Sequence, residues 1–321
     1  MNRLKFEGKG FDFFKIFIVD VIVTFVSLTL LYPWSMVREA KYLWSETSLG
    51  ETSFEFKGTH KTFFRGYMKV LLFFVLFSIF LLVENIVLAY IFKEIPIFAY
   101  YLNYLITFAF VFILIPFIMH GDLNFYAKST SWRSVTASYK GKLSELMSIS
   151  LRGNILTVLT LGIYSAWYET QLNRYISENI RFGSLKFGYS GSSKELFRIY
   201  LKGFLLGLVT LGIYNIWLMR NWYNYTVNHI VVKKGEQEFS LHSDANTREV
   251  FELLVGNILL VVFTLGFGAA WAYIHTFRFM VNHCIVPEAF NLEAIEDNEV
   301  EEEQVEPAKN WLDKWNPTLI A

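Results

Sequence analysis

The residues of this sequence best placed to do chemistry are charges set inside apolar runs. Lys69, Arg152 and Lys202 each stand seven residues after an equivalent position, namely Thr62, Glu145 and Glu195. Asp20 and Asn257 stand eight residues after Asp12 and Glu249. Ionisable groups at membrane depth are costly and by default mark ion or substrate paths. Lys69, Arg152, Lys202 and Asn257 are therefore candidate path residues around a common axis, as is Glu84, deep in its own apolar run beside Asn85. The plainer alternative is that the cations snorkel to the headgroups and that Glu84 pairs with a neighbour or lies near a helix tip.

Other chemistry is poorly supplied. Val227-Asn-His229 and Val281-Asn-His283 repeat an Asn-His pair, but neither has a carboxylate or second histidine at ligand spacing. No metal site is expected from them, and a lead-in to a hairpin suits asparagine. The lone Cys284 leaves no internal disulfide and no cysteine-rich metal centre. Gly8-Lys-Gly10 lacks the context of a phosphate-cradling loop. With no nucleophile–base set in view, the expectation is a non-enzyme without a cofactor. A net charge of +0 gives no footprint for nucleic acid.

The elements that must position these residues are membrane elements. Only 18% of residues are charged against 54% hydrophobic, below the roughly 25% charged of soluble domains. Phe11 to Trp34, Val70 to Phe92 and Ile95 to Met119 are runs of bilayer length. The first starts too late and runs too long for a cleavable signal. Arg3, Lys5 and Lys9 ahead of it predict a cytoplasmic N-terminus.

The chain repeats itself. Glu145 to Trp167, Glu195 to Trp217 and Glu249 to Trp271 each place an acid 22 residues before a tryptophan, with Thr-Leu-Gly between. Asp12 to Trp34 keeps the spacing without Thr-Leu-Gly, and a longer copy opens at Thr62 and lacks the tryptophan. An Arg- and Tyr-rich stretch follows, then two short alternating segments around a turn, such as Ile180 to Tyr189 and Ile230 to Leu241. That alternation reads as a β-hairpin. Gly58, Gly141 and Gly191 end hairpins as breakers.

The Thr-Leu-Gly-Ile-Tyr boxes at 160–164 and 210–214, the trailing Trp, Arg and Tyr residues and Phe54-Glu-Phe-Lys-Gly58 resemble the YjgN-like family of bacterial inner-membrane proteins. That resemblance covers roughly residues 5 to 287. It implies an inner-membrane location, and the family's function is not established, so it carries no catalytic residue across. The first copy, with Leu-Leu-Tyr-Pro-Trp34, departs from the pattern at its tip.

Two topologies compete. Six ordinary spans would tolerate Gly162, Gly212 and Gly266 inside helices but put equivalent cationic flanks alternately on both sides, against the positive-inside rule. There-and-back units, with tips at Thr-Leu-Gly as at Lys93-Glu-Ile-Pro96, keep the flanks together. Their limbs of about 12 to 14 residues, roughly 20 Å, fall short of a span. The hairpins, with terminal strands at Leu4 to Glu7 and Cys284 to Val286, would then form a closed cytoplasmic β-ring.

Trp34, Trp167, Trp217 and Trp271, beside Tyr164 and Tyr214, fit interfacial anchors, an aromatic cage being the alternative. The fold expected is mainly α, a polytopic protein of about five helical pseudo-repeats and six hydrophobic segments, joined by short cytoplasmic β-hairpins. Units run about 11–58, 59–141, 142–191, 192–245 and 246–287, with an acidic, disordered tail at 288–321. The leading functional expectation is a channel- or transporter-like protein, the alternative a membrane scaffold binding lipid or a partner. Partners expected are membrane lipids and, through the acidic tail and its Asn310-Trp-Leu-Asp-Lys-Trp-Asn316 segment, a protein.

Overall fold

The computed structural model describes residues 2–287; the acidic tail and its tryptophan segment lie outside them. Strand β1 (Asn2–Phe6) leads into α1 (Gly10–Val26) and α2 (Tyr32–Ser45), then β2 (Thr47–Leu49) and β3 (Thr52–Phe56). The order of two helices and two strands recurs with α3 (His60–Ile91), α4 (Pro96–Ser129), β4 (Thr130–Trp132) and β5 (Val135–Tyr139). It recurs with α5 (Leu143–Leu159), α6 (Ser165–Asn179), β6 (Ile180–Phe182) and β7 (Leu185–Tyr189). Next come α7 (Ser193–Val209), α8 (Asn215–Asn228), β8 (Ile230–Lys234), β9 (Gln237–Ser240) and β10 (His242–Ser243). Helices α9 (Thr247–Phe263) and α10 (Ala269–Asn282) precede β11 (Cys284–Val286).

The strands form one antiparallel sheet in the order β10-β11-β1-β2-β3-β4-β5-β6-β7-β8-β9. The two ends of that order are one stretch of chain. Only Leu241 separates β9 from β10, and its N–H donates to Ile230 O at 2.9 Å. The sheet is therefore a closed ring, and closure removes exposed strand edges. Leu49, Phe182, Leu185, Phe187, Val232, Phe239, Leu241 and Val286, from β2, β6, β7, β8, β9, β11 and the link after β9, pack together as the ring's apolar filling.

The helices follow the same circle. Each packs on its predecessor and successor, and α10 packs on α1. One set of contacts staples consecutive units. Arg174 Nη2 donates to Gly191 O at 3.4 Å and Asn224 Nδ2 to Ala245 O at 2.9 Å, each reaching the residue before the next unit's helix cap. Arg278 Nη2 donates to Gly8 O at 2.6 Å, so the last unit treats the first as its successor. Likewise Asn228 Oδ1 accepts from Ser243 N–H at 2.7 Å and Asn282 Oδ1 from Phe6 N–H at 2.8 Å. The tyrosines of the cationic flanks brace each unit internally: Tyr42, Tyr175 and Tyr225 donate to the carbonyls of Lys9, Lys142 and Ser192.

Among the described residues, only α3 and α4 are long and apolar enough to cross a membrane. At 32 and 34 residues they extend roughly 50 Å, against a hydrocarbon core of about 30 Å. In the other units the apolar stretch is broken at the tip. The limbs hold 17 and 14 or 15 residues, so none continues through as a single spanning helix. Gly162, Gly212 and Gly266 are not helix-interior residues: they sit at the tips with φ of 93°, 91° and 96°, where glycine carries no Cβ penalty.

Candidate functional site

The short tips share one construction. Helix α5 ends in a Schellman turn, with Gly162 N–H on Thr157 O at 2.7 Å and Leu161 N–H on Val158 O at 3.1 Å. Thr160 Oγ1 donates to Leu156 O and accepts Tyr164 N–H at 2.9 Å. Every backbone N–H from Thr160 to Ser165 thereby finds an acceptor inside the turn. The tips at 210–215 and 264–269 repeat this bond for bond, with Thr210 and Thr264 in the role of Thr160.

The first tip builds the same turn from different residues. Ser27 Oγ takes Leu31 N–H at 3.1 Å, Thr29 N–H reaches Thr24 O at 2.8 Å, and Leu28 N–H reaches Phe25 O at 3.1 Å. Thr29 occupies the glycine position at φ 70°, a strained choice for a β-branched residue. Sequence comparison missed this tip because no glycine marks it.

What the tips expose is apolar. Leu161, Leu211 and Leu265, each at a φ near 50°, are 95%, 94% and 90% exposed. The neighbouring first limbs expose further apolar residues, such as Leu159, Val209 and Phe263.

The candidate path residues are not brought together. Lys69, Arg152 and Lys202 are exposed on three different helices and make no hydrogen bond or ion pair among the described residues. Lys202 lies among exposed Leu201, Leu205 and Val209. Glu84 Oε2 accepts from Asn103 Nδ2 at 2.7 Å, pinning α3 to α4, while its Oε1 is buried without a partner. Asn257 ties α9 to α10 by donating to Ala272 O at 3.2 Å and Thr276 Oγ1 at 3.1 Å. Asp20 is the most enclosed charge among the described residues: its side chain is 3% exposed, with Arg38 Nε at 3.6 Å. Arg38 also lies over Trp34, 4.4 Å from its centroid.

The remaining tryptophans are packing residues at seams and tips. Trp271 stacks on Phe14 across the ring closure, and Trp167 packs on Phe197 of the next unit. Trp217 stacks on Tyr214 and is 39% exposed. The two histidines of the Asn-His pairs stay apart. His229 Nδ1 donates to Tyr225 O at 2.7 Å, whereas His283 Nδ1 bonds Asp244 at 2.6 Å. Burial alone would raise the Asp244 carboxyl, but the His283 hydrogen bond and the Arg3 charge hold it below its ordinary value.

Two features, one polar and one an apolar cavity, escaped sequence analysis. Glu169 accepts from Trp222 Nε1 at 2.6 Å and from the Tyr200 hydroxyl, binding α6, α7 and α8 together. Its counterparts two residues after the other tryptophans are Met36, Met219 and Tyr273, so comparison among units gave no signal. The second is a cavity of about 680 Å³ along α4, lined by Ile118, Met119, Asp122 and Tyr126, with Phe182 and Phe187 of the ring filling among its walls.

A family model described as a bacterial protein of unknown function, DUF898, matches residues 1–190 and 218–308. The Inner membrane protein YjgN of Salmonella typhimurium (strain LT2) is 31% identical over 78 residues. That match spans 24% of this chain and 19% of the relative, about a fifth of its length. No solved structure matches the chain. With most of its length under the family model, the chain belongs to the DUF898 family of bacterial proteins.

Proposed function

We propose that this chain is a non-enzymatic inner-membrane scaffold that works on lipid. In this reading α3 and α4 cross the bilayer as one long hairpin, and the four short hairpins enter a single leaflet. The strand ring and the N-terminus stay at the cytoplasmic face, which gathers the cationic flanks on one side in keeping with the positive-inside rule. The units are pseudo-repeats of one design around a common axis.

One observation carries it: the short tips satisfy their own backbone while exposing leucine. Hydrocarbon offers no water to an unpaired N–H, so breaks in a helix survive at depth only when the freed groups are re-satisfied. A turn exposed to water would have no need of the inward Thr bonds. Hairpins of roughly 25 Å displace lipid from one leaflet without reaching the other. The name of the YjgN relative supports the inner membrane as the location.

The test starts from Cys284→Ser, with single cysteines at Leu161, Leu211 and Leu265 carrying an environment-sensitive fluorophore. In liposomes, quenchers on lipid chains should dim all three and an aqueous quencher none. Aqueous quenching would refute the reading. Thiol labelling at Gly50, Gly183, Gly235 and Ile95 in whole cells then assigns sides, with Ile95 alone expected to label.

A channel- or transporter-like path is the second reading, favoured by the cavity along α4 and by the ring of helices around an axis. Such a path meets the apolar filling of the strand ring. Solute flux in the same liposomes, absent from empty ones, would raise it above the first.

A further inference from the structure

The ring's strands β6, β7 and β8 carry an arrangement of charge that packing does not explain. The register sets Ser138 opposite Arg181, Arg181 opposite Lys186, Lys186 opposite Lys233, and Lys233 opposite Glu238. Directly opposed residues share a face of the sheet, and like charges so placed repel. Three cations stand consecutively here. The neighbouring residues Phe182, Leu185, Val232 and Phe239 point into the ring filling, so the cationic row lies on the outer face.

The charges are unevenly answered. Lys233 Nζ lies 2.8 Å from Glu238 Oε1. Arg181 and Lys186 form no ion pair among the described residues, although Glu178 lines the same groove. Arg181 Nε and Nη1 are buried and lack any hydrogen-bond partner. Leaving a buried donor unpaired is costly, more so on a charged group. Beside these atoms opens a groove of about 440 Å³, with Lys186, Lys233 and Ser190 in its wall. Gly188 lines it too.

We propose that this groove binds a phosphate group, held by Arg181, Lys186 and Lys233. Two unanswered cations match the charge of up to about −2 that a phosphate monoester carries. Arg181, which lines the groove, and the exposed Lys186 offer its oxygens charge-assisted hydrogen bonds. The group can come from a lipid headgroup at the membrane surface or from phosphate in solution. The site does not depend on the scaffold reading.

The experiment uses the full chain with two probes. Thermal unfolding in detergent is followed against inorganic phosphate, with chloride at matched ionic strength. Retention of phosphatidic acid over phosphatidylcholine is measured by native mass spectrometry. Wild type should respond to at least one probe, and Arg181→Gln should weaken that response about tenfold or more. Arg248→Gln, at an exposed pair with Glu252, should leave it intact. Without either probe Arg181→Gln should be no less stable than wild type, because it removes an unpaired buried charge; a purely structural arginine would behave oppositely. A response to phosphatidic acid alone assigns the lipid source, and a response to inorganic phosphate assigns the soluble one. Should Arg181→Gln fail to fold, Lys186→Gln, exposed on the same groove, carries the test. Binding of both probes unchanged in that variant, or binding of neither by wild type, overturns the site.

Discussion

The long hairpin and the four short ones use one plan at two lengths. Both limbs of the long hairpin are apolar around most of their surface. In the short units the first limb exposes apolar residues while the second carries polar ones such as Glu169, Arg174, Arg220 and His275. The tips differ as well. The long hairpin turns through Phe92–Ile95 with Pro96 opening its return helix, whereas each short one closes on a hydroxyl and a left-handed leucine. On the proposed reading, crossing is a matter of limb length, and a tip that ends in hydrocarbon needs a turn that leaves no backbone group unpaired.

That contrast can be broken most severely at the strand end, where all units are packed alike. Trp132 is 1% exposed and donates through Nε1 to Thr52 O at 3.0 Å. Trp132→Ala should cost about 3–5 kcal/mol, read as lowered stability in detergent. A loss below that range would mean the ring adds little to the fold.

A smaller effect, of opposite sign, is expected at the odd tip. Thr29→Gly relieves the left-handed strain at φ 70° and should stabilise by about 1 kcal/mol. Destabilisation would show that the Thr29 side chain, which accepts from the Tyr67 hydroxyl at 2.9 Å, matters more than its backbone.

At the ring seam the expectation concerns pH. Asp244 titrates below its ordinary value in the fold, so its contribution is present above the unfolded pKa of about 3.9. It is lost as pH falls through the lower folded value. Asp244→Asn should lower stability at neutral pH and, because that contribution no longer disappears on acidification, flatten the acid limb of the profile. An unaltered acid limb would remove Asp244 from the closure.

The smallest effect sharpens the comparison. Leu161→Ala should shift stability in detergent by no more than about 0.5 kcal/mol, because its side chain packs on little of the protein. The same change should lower lipid-chain quenching at neighbouring positions in liposomes.

Much of this was legible in the sequence, for physical reasons. Thr-Leu-Gly identifies the tips because a left-handed position favours glycine and a helix end favours a hydroxyl. Leu4 to Glu7 and Cys284 to Val286 read as terminal strands because they lie outside complete units; in the fold the first strand is Asn2–Phe6, which meets the last strand through Asn2 and Arg3 and β2 through Leu4 to Phe6. The ring filling was not legible, since the strands that contribute to it offer only one or two apolar residues each and the others none. Nor was Glu169, whose partners lie 31 and 53 residues away on other helices. Lys69, Arg152 and Lys202 looked alike in spacing, but spacing along a unit says nothing about which side of a helix faces the axis.

The closure between β1 and β11 has a consequence for how the chain folds. Nearly every contact in the ring joins units adjacent in sequence, so assembly can proceed unit by unit as the chain emerges. The one exception joins Asn2 to Val286 and Gly8 to Arg278. The entropy of closing a long loop, and with it the slow non-local part of folding, is therefore concentrated in a single event that must wait for the last strand. Until then, the first and last units each present an unpaired strand edge. The chain is in effect a linear array that becomes a ring in its final step.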